Sequence, residues 1–182
     1  MNNKKEIHAQ NLKTQRPTMS TFTEESLEKK LSDLNNSQQS IQQLSLWLIH
    51  HRKHCKKVVS VWQREFYKTS NDRKLTFLYL ANDVVQNSRK KAPEFSKDYG
   101  HVLKKILAHL SALNLDEKTK KSVSRLLGIW QERGIFEPKV QKELNIIWAK
   151  KAVEKDDDDE PGTPPLPKKP RKGISLTFAE VI

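Results

Sequence analysis

Three polar side chains, Tyr79, Asp83 and Asn87, recur every four residues within RKLTFLYLANDVVQNSRKK at 73–91, a spacing that stacks them on one stripe of a helix. Around them Leu75, Phe77, Leu78, Leu80, Ala81, Val84 and Val85 cover more than one face, so this helix must be enclosed by others. A carboxylate beside such a core is costly unless it is paired, hydrogen-bonded or facing a cleft. The stripe therefore reads as the floor of a groove, closed at its C-terminal end by Arg89, Lys90 and Lys91. A phenol ring, a carboxylate acceptor, an amide and several cations in one line suit an extended peptide better than a base-paired helix. The carboxylate repels a nucleic acid backbone, yet it can accept a hydrogen bond from a hydroxyl.

Other chemistry has less to stand on. His50 and His54 are four apart, but no third ligand or general-base glutamate lies at a useful spacing, and Arg52 and Lys53 add positive charge between them. There is no nucleophile elbow, phosphate loop or dinucleotide fingerprint, and no cysteine placed by motif beside a histidine. The expectation is a binding protein with no catalytic residues, no metal and no cofactor.

The stripe needs a helical scaffold, and the chain supplies one. Thr23 can cap a first helix, with Glu24 and Glu25 favourably placed against its dipole and Phe22 set to staple onto Leu27. Asn36 can cap a second, with Gln39 at the reciprocal position and Ile41, Leu44, Trp47 and Leu48 apolar, ending in HHRKH. A third carries Val58, Val61, Trp62 and Phe66, and Asn71 and Asp72 can cap the central helix. Pro93 opens the next, Asp116 and Glu117 the one after, which Gly134 stops, and Pro138 starts the last. Trp47, Trp62, Trp130 and Trp148 all fall on apolar faces and read as core. No segment has the alternation of a half-buried strand. The fold class is all-α: seven or eight short helices whose spacing suits successive antiparallel pairs stacked into a superhelix.

Composition bounds the partners. The formal charge is +12, of which residues 1–18 carry +3, residues 19–152 carry +11 and residues 153–182 carry −2, so the excess belongs to the folded part. Phosphate in some form is the favoured partner class. Cys55 is the only cysteine, which fits a reducing compartment and excludes a disulfide framework. No stretch of about 18 apolar residues could span a membrane. Residues 1–18 read as a polar, disordered leader and residues 153–182 as a solvated tail containing DDDDE and PGTPPLPKKPRKG. Within the tail, Lys168 to Lys172 has the composition of a nuclear import signal, and ProProLeuPro could form a stiff spacer.

Three segments, LEKKLSDLNNSQQSIQQLSLWLIHHRKH, RKLTFLYLANDVVQNSRKKAPEF and SRLLGIWQERGIF, resemble the CTD-interacting domain of the regulation of nuclear pre-mRNA domain-containing proteins over roughly residues 19–149. The resemblance implies a right-handed superhelix of about eight helices, related in shape to VHS and ENTH domains. It also implies a nuclear reader of the phosphorylated heptad repeats of RNA polymerase II, favouring phosphate on the second-position serine and regulating transcription and pre-mRNA processing by recruitment. A CTD phosphatase complex is one candidate effector.

Carried over by motif, Asp83 would accept a hydrogen bond from the heptad tyrosine, with Tyr79 in the same pocket, and Asn87 would bond the peptide backbone. Arg125 would pair with the phosphate and Arg133 would support it. Asn36, Ser37 and Gln38 match the polar loop bordering the groove. Lys90 stands where the family pattern has arginine, and an ammonium brings charge without the bidentate fork. Arg125 and Arg133 are eight apart and so lie on one side of their helix, and a guanidinium suits a phosphate carrying about −1.5 to −2 charge.

Two other functions fit parts of the sequence. Related superhelical domains include phosphoinositide-binding adaptors, but the residues before Ser20 lack the bulky amphipathic leader that membrane docking needs, so no membrane partner is expected. An RNA-binding module using the +11 surface is disfavoured by the carboxylate in the groove and left open by the charge. Members of the family usually continue into a dimerising coiled coil; with no heptads after Lys151, a monomer is expected.

Overall fold

Thr23, Asp116, Gly134 and Pro138 begin or end helices where their chemistry predicts. The computed structural model describes residues 21–150, and among these the chain forms seven α-helices and no strand. They are α1 (Glu24–Ser32), α2 (Gln38–His50), α3 (Cys55–Lys68), α4 (Asn71–Ser88), α5 (Glu94–Ala112), α6 (Glu117–Glu132) and α7 (Pro138–Ala149), with a 3₁₀ turn at Arg52–His54 between α2 and α3. The expected leader, the acidic tail, the Lys168–Lys172 run and the missing heptads lie outside the described residues. None of the described helices is long and apolar enough to cross a membrane.

Thr23 accepts from the Ser26 amide at 3.1 Å while Ser26 Oγ accepts from the Thr23 amide, a closed capping box. Asp116 accepts from the Thr119 amide at 2.9 Å. Gly134, at φ +56, ends α6 in a Schellman arrangement: the Ile135 amide donates to the Trp130 carbonyl and the Gly134 amide to Gln131. Pro138 occupies the first turn of α7.

Two caps differ from expectation. Ser37, not Asn36, caps α2, accepting from the Ser40 amide at 3.2 Å; Asn35 Oδ1 accepts from the Ser37 amide and holds Ser37 in the extended conformation that a cap requires. Ser70, not Asn71 or Asp72, is the N-cap of α4, and Asp72 sits in the first turn, its pKa lowered first by a side-chain hydrogen bond with Ser70. The expected helix through HHRKH also ends early. His51 Nδ1 lies 2.8 Å from the Trp47 carbonyl oxygen, a contact that requires a proton on that nitrogen, and the chain turns there. His50 and His54 therefore do not share one helix.

The helices pack two places along. α1 lies on α3, α3 on α5 and α5 on α7, while α2 lies on α4 and α4 on α6, so odd and even helices form two layers of one superhelix. Gly100 lets α5 and α7 close up, since a Cβ there would sit 3.2 Å from Val140 Cγ1. α4 runs through the middle with twelve of its eighteen residues buried, which is why its apolar residues had to cover more than one face. Trp62 and Trp130 are fully in the core, but Trp47 and Trp148 are only half-buried. Trp47 lies near the surface between Phe22, 5.9 Å away by ring centroid, and Lys30, whose ammonium is 5.2 Å from its ring.

Cations at the two ends of α4 hold its neighbours. Arg73 donates to the carbonyls of Leu31, Ser32 and Leu34 at the end of α1. The buried Lys74 donates to Phe66 at 2.9 Å and Thr69 at 2.8 Å at the end of α3, and burial lowers its pKa. Arg89, just past the end of α4, donates to the carbonyls of Arg133 and Gly134 at the end of α6. Each satisfies carbonyls that a helix end leaves open and sits at the negative end of its dipole.

Candidate functional site

Of the stripe Tyr79, Asp83 and Asn87, only the last two reach the edge of α4. Tyr79 is 2% exposed and packs with the core, so its ring forms a wall and not an open contact face. Asp83 is 8% exposed and Asn87 is exposed. Asn87 Nδ2 donates to Asp83 Oδ2 at 2.9 Å, which holds the carboxylate in one orientation.

A second polar row lies one position away and was not read from the sequence. Asn82 Oδ1 accepts from Trp130 Nε1 at 2.9 Å and from Gln86 Nε2 at 2.7 Å, and Gln86 Oε1 accepts from the Arg133 guanidinium. The amides at i and i+4 were the available signal. Their partners are 48 and 47 residues further along the chain, which no local pattern reveals.

These bonds fix how α4 and α6 sit. Asn82 meets Trp130, Gln86 meets Arg133 and Arg89 meets Arg133 and Gly134, so numbers rise together and the helices run parallel. In a parallel pair with Asn82 and Gln86 facing Trp130 and Arg133, Asp83 and Asn87 flank the same side of the seam as Arg125 and Arg133. α7 covers the opposite flank, through Trp148 to Ser124 and Asn145 to Gln131. Arg125 precedes Arg133 by eight residues, about 12 Å of helix rise, which brings it level with Leu78 and Tyr79.

The loop residues Asn36, Ser37 and Gln38 are all exposed and mark the other end of this line. Arg73 donates to the Leu34 carbonyl at 2.8 Å, so the loop lies by the start of α4, whereas Asn87 and Lys90 lie at its finish. Ser37 is committed to its cap, accepting from the Ser40 amide.

The chain matches the CID domain family over residues 25–144. It belongs to the CID domain family. It is 56% identical over 126 residues to the human protein named Regulation of nuclear pre-mRNA domain-containing protein 1A, a match covering 69% of this chain and 40% of that protein. To the human protein 1B of the same name it is 56% identical over 128 residues, covering 70% and 39%. To CID domain-containing protein 1 of Caenorhabditis elegans it is 32% identical over 130 residues, covering 71% and 41%. The match thus spans about two fifths of the length of these curated relatives.

Within this CID domain the arginines divide by use. Arg73 and Arg89 are held by backbone carbonyls, Arg64 by Glu24, Glu28 and Glu65, and Arg133 by Gln86. Arg125 is exposed and forms no hydrogen bond or ion pair with the described residues. Arg89, expected to close the groove together with Lys90 and Lys91, instead caps α6, and the two lysines remain exposed. No cluster of three or more His, Cys, Asp or Glu residues able to hold a metal occurs among the described residues.

Proposed function

We propose that this CID domain binds the phosphorylated heptad repeats of the largest subunit of RNA polymerase II and acts in the nucleus by recruitment, without catalysis, on transcription and pre-mRNA processing. The observation that carries this reading is the parallel α4–α6 seam, which leaves a fixed carboxylate, Asp83, and an uncommitted guanidinium, Arg125, on one flank. An extended peptide rises about 3.3 Å per residue, so a few residues bridge the roughly 7 Å of helix between the levels of Arg125 and Asp83.

In this reading Asp83 accepts the heptad tyrosine hydroxyl above the Tyr79 wall, and Asn87 orients that carboxylate and bonds the peptide backbone. Arg125 takes the phosphate of the second-position serine as a bidentate fork. Arg133, already set by Gln86, adds positive potential behind it. Asn36 and Gln38 border the peptide at the start of α4, and Lys90 adds a point charge at its end. A CTD phosphatase complex is one effector such a reader would bring.

The test is a fluorescence titration of the chain against heptad peptides that differ only in phosphate position. Tightest binding is expected with phosphate on the second-position serine, weakening with salt. Indifference to phosphate position would reject the assigned role of Arg125.

A further inference from the structure

The outer row of α6 carries Lys118, Lys121 and Arg125, at intervals of three and four that bring them to one side of the helix. All three are exposed, and none forms a salt bridge or side-chain hydrogen bond with the described residues. Other lysines nearby are paired: Lys120 with Glu117, and Lys104 with Glu143. The row is therefore a positive strip without a salt bridge among the described residues, although Glu117, paired with Lys120, also feels the charge of Lys121.

α7 finishes against the other flank of α6, one residue round the helix from Arg125. Trp148 Nε1 donates to Ser124 Oγ at 2.8 Å, and Ser124 is the neighbour of Arg125. Asn145 Nδ2 donates to Gln131 Oε1, also at 2.8 Å, so the last turns of α7 are fastened to α6. α7 stops at Ala149. The sequence then continues through Lys155 to Asp156, Asp157, Asp158, Asp159 and Glu160, five consecutive acidic residues beginning six positions after Lys150. Six residues can extend about 20 Å, roughly twice the width of one helix. The acidic run is thus within reach of the strip, with the complementary charge.

We infer that Asp156 to Glu160 docks on Lys118, Lys121 and Arg125 and serves as a built-in competitor for the phosphate that Arg125 takes, an inference that rests on the function proposed above. A carboxylate fits the guanidinium fork as a phosphate does, but carries one charge where a phosphoserine carries about 1.5 to 2. The tether compensates for the weaker contact, because a short linker holds the run at an effective concentration of order millimolar. Only a ligand with phosphate at the right place displaces it efficiently, so the run would raise the threshold for weakly matched ligands.

The experiment compares the full chain with one carrying D156N, D157N, D158N, D159N and E160Q. The side-chain Nε–Hε resonance of Arg125, assigned by its loss in R125K, reports docking without any heptad ligand. That resonance is expected to move between the two chains. A heptad peptide phosphorylated on the second-position serine is expected to bind the neutralised chain about three- to tenfold more tightly, a gain that shrinks as salt rises. An unmoved Arg125 resonance overturns the inference, as when the acidic run pairs with Lys168 to Lys172 instead, and it does so even if the phosphopeptide binds well. A moved resonance with no phosphopeptide binding by either chain overturns the competitor role and the proposed function together, while leaving the docking itself standing.

Discussion

Asn82 and Asp83 are neighbours on one helix, both less than a tenth exposed, and they serve opposite ends. Asn82 has its acceptor oxygen filled from inside, by Trp130 and Gln86, and through Gln86 the network reaches Arg133. Asp83 accepts instead from Asn87, one turn further along the same helix. A single residue, about 100° of rotation about the helix axis, separates a polar group that fastens two helices from one whose hydrogen bond stays on its own helix. A polar residue in an apolar helix is thus no sign of a site by itself; what matters is whether its hydrogen-bonding capacity is already taken.

That contrast can be broken by substitution. The largest effect is expected from Asn82→Ala, which leaves the buried Trp130 N–H without an acceptor and should lower stability by about 2–3 kcal/mol; urea unfolding followed by tryptophan emission would measure it, and a loss below about 0.5 kcal/mol would deny the row its structural role. Arg125→Ala comes next. It should leave the unfolding midpoint unchanged while weakening the phosphorylated heptad peptide about tenfold or more and the unphosphorylated one far less; equal losses would remove Arg125 from phosphate recognition. Asp83→Asn should weaken both peptides alike by a few-fold, about 1 kcal/mol, since the tyrosine contact is common to them. Unchanged affinity in an anisotropy titration would reject that contact. Smallest should be Arg89→Ala, a loss of stability under about 1 kcal/mol with peptide affinity retained; if binding fell with stability intact, Arg89 would belong to the groove after all.

The helices were legible because burial imposes a period on the sequence, and the starts at Thr23 and Asp116 and the stop at Gly134 announce themselves by residue type. Choosing among adjacent polar residues was harder. Asn35, Asn36 and Ser37 can all cap, and the choice of Ser37 rests on a bond from its own amide to Asn35, a matter of backbone angle. Tyr79 was visible as part of the stripe, yet its burial depends on what packs against α4, and Trp148 is half-exposed because α7 lies at the end of the stack. The Asn82–Gln86 row escaped because its meaning lies in Trp130 and Arg133, on a helix that only the fold brings near.

A stack in which helices rest mainly on neighbours two places away could unravel from either extremity, as solenoids do, since each added unit depends on the one before it. The three side chains Arg73, Lys74 and Arg89 work against that outcome. They clasp the finishing carbonyls of α1, α3 and α6, so detaching either a first-half or a second-half helix also strips a cation at one end of the middle one. Amide exchange in α1 should therefore be slowed toward the rate of the centre, while α7, which none of the three clasps, should exchange faster.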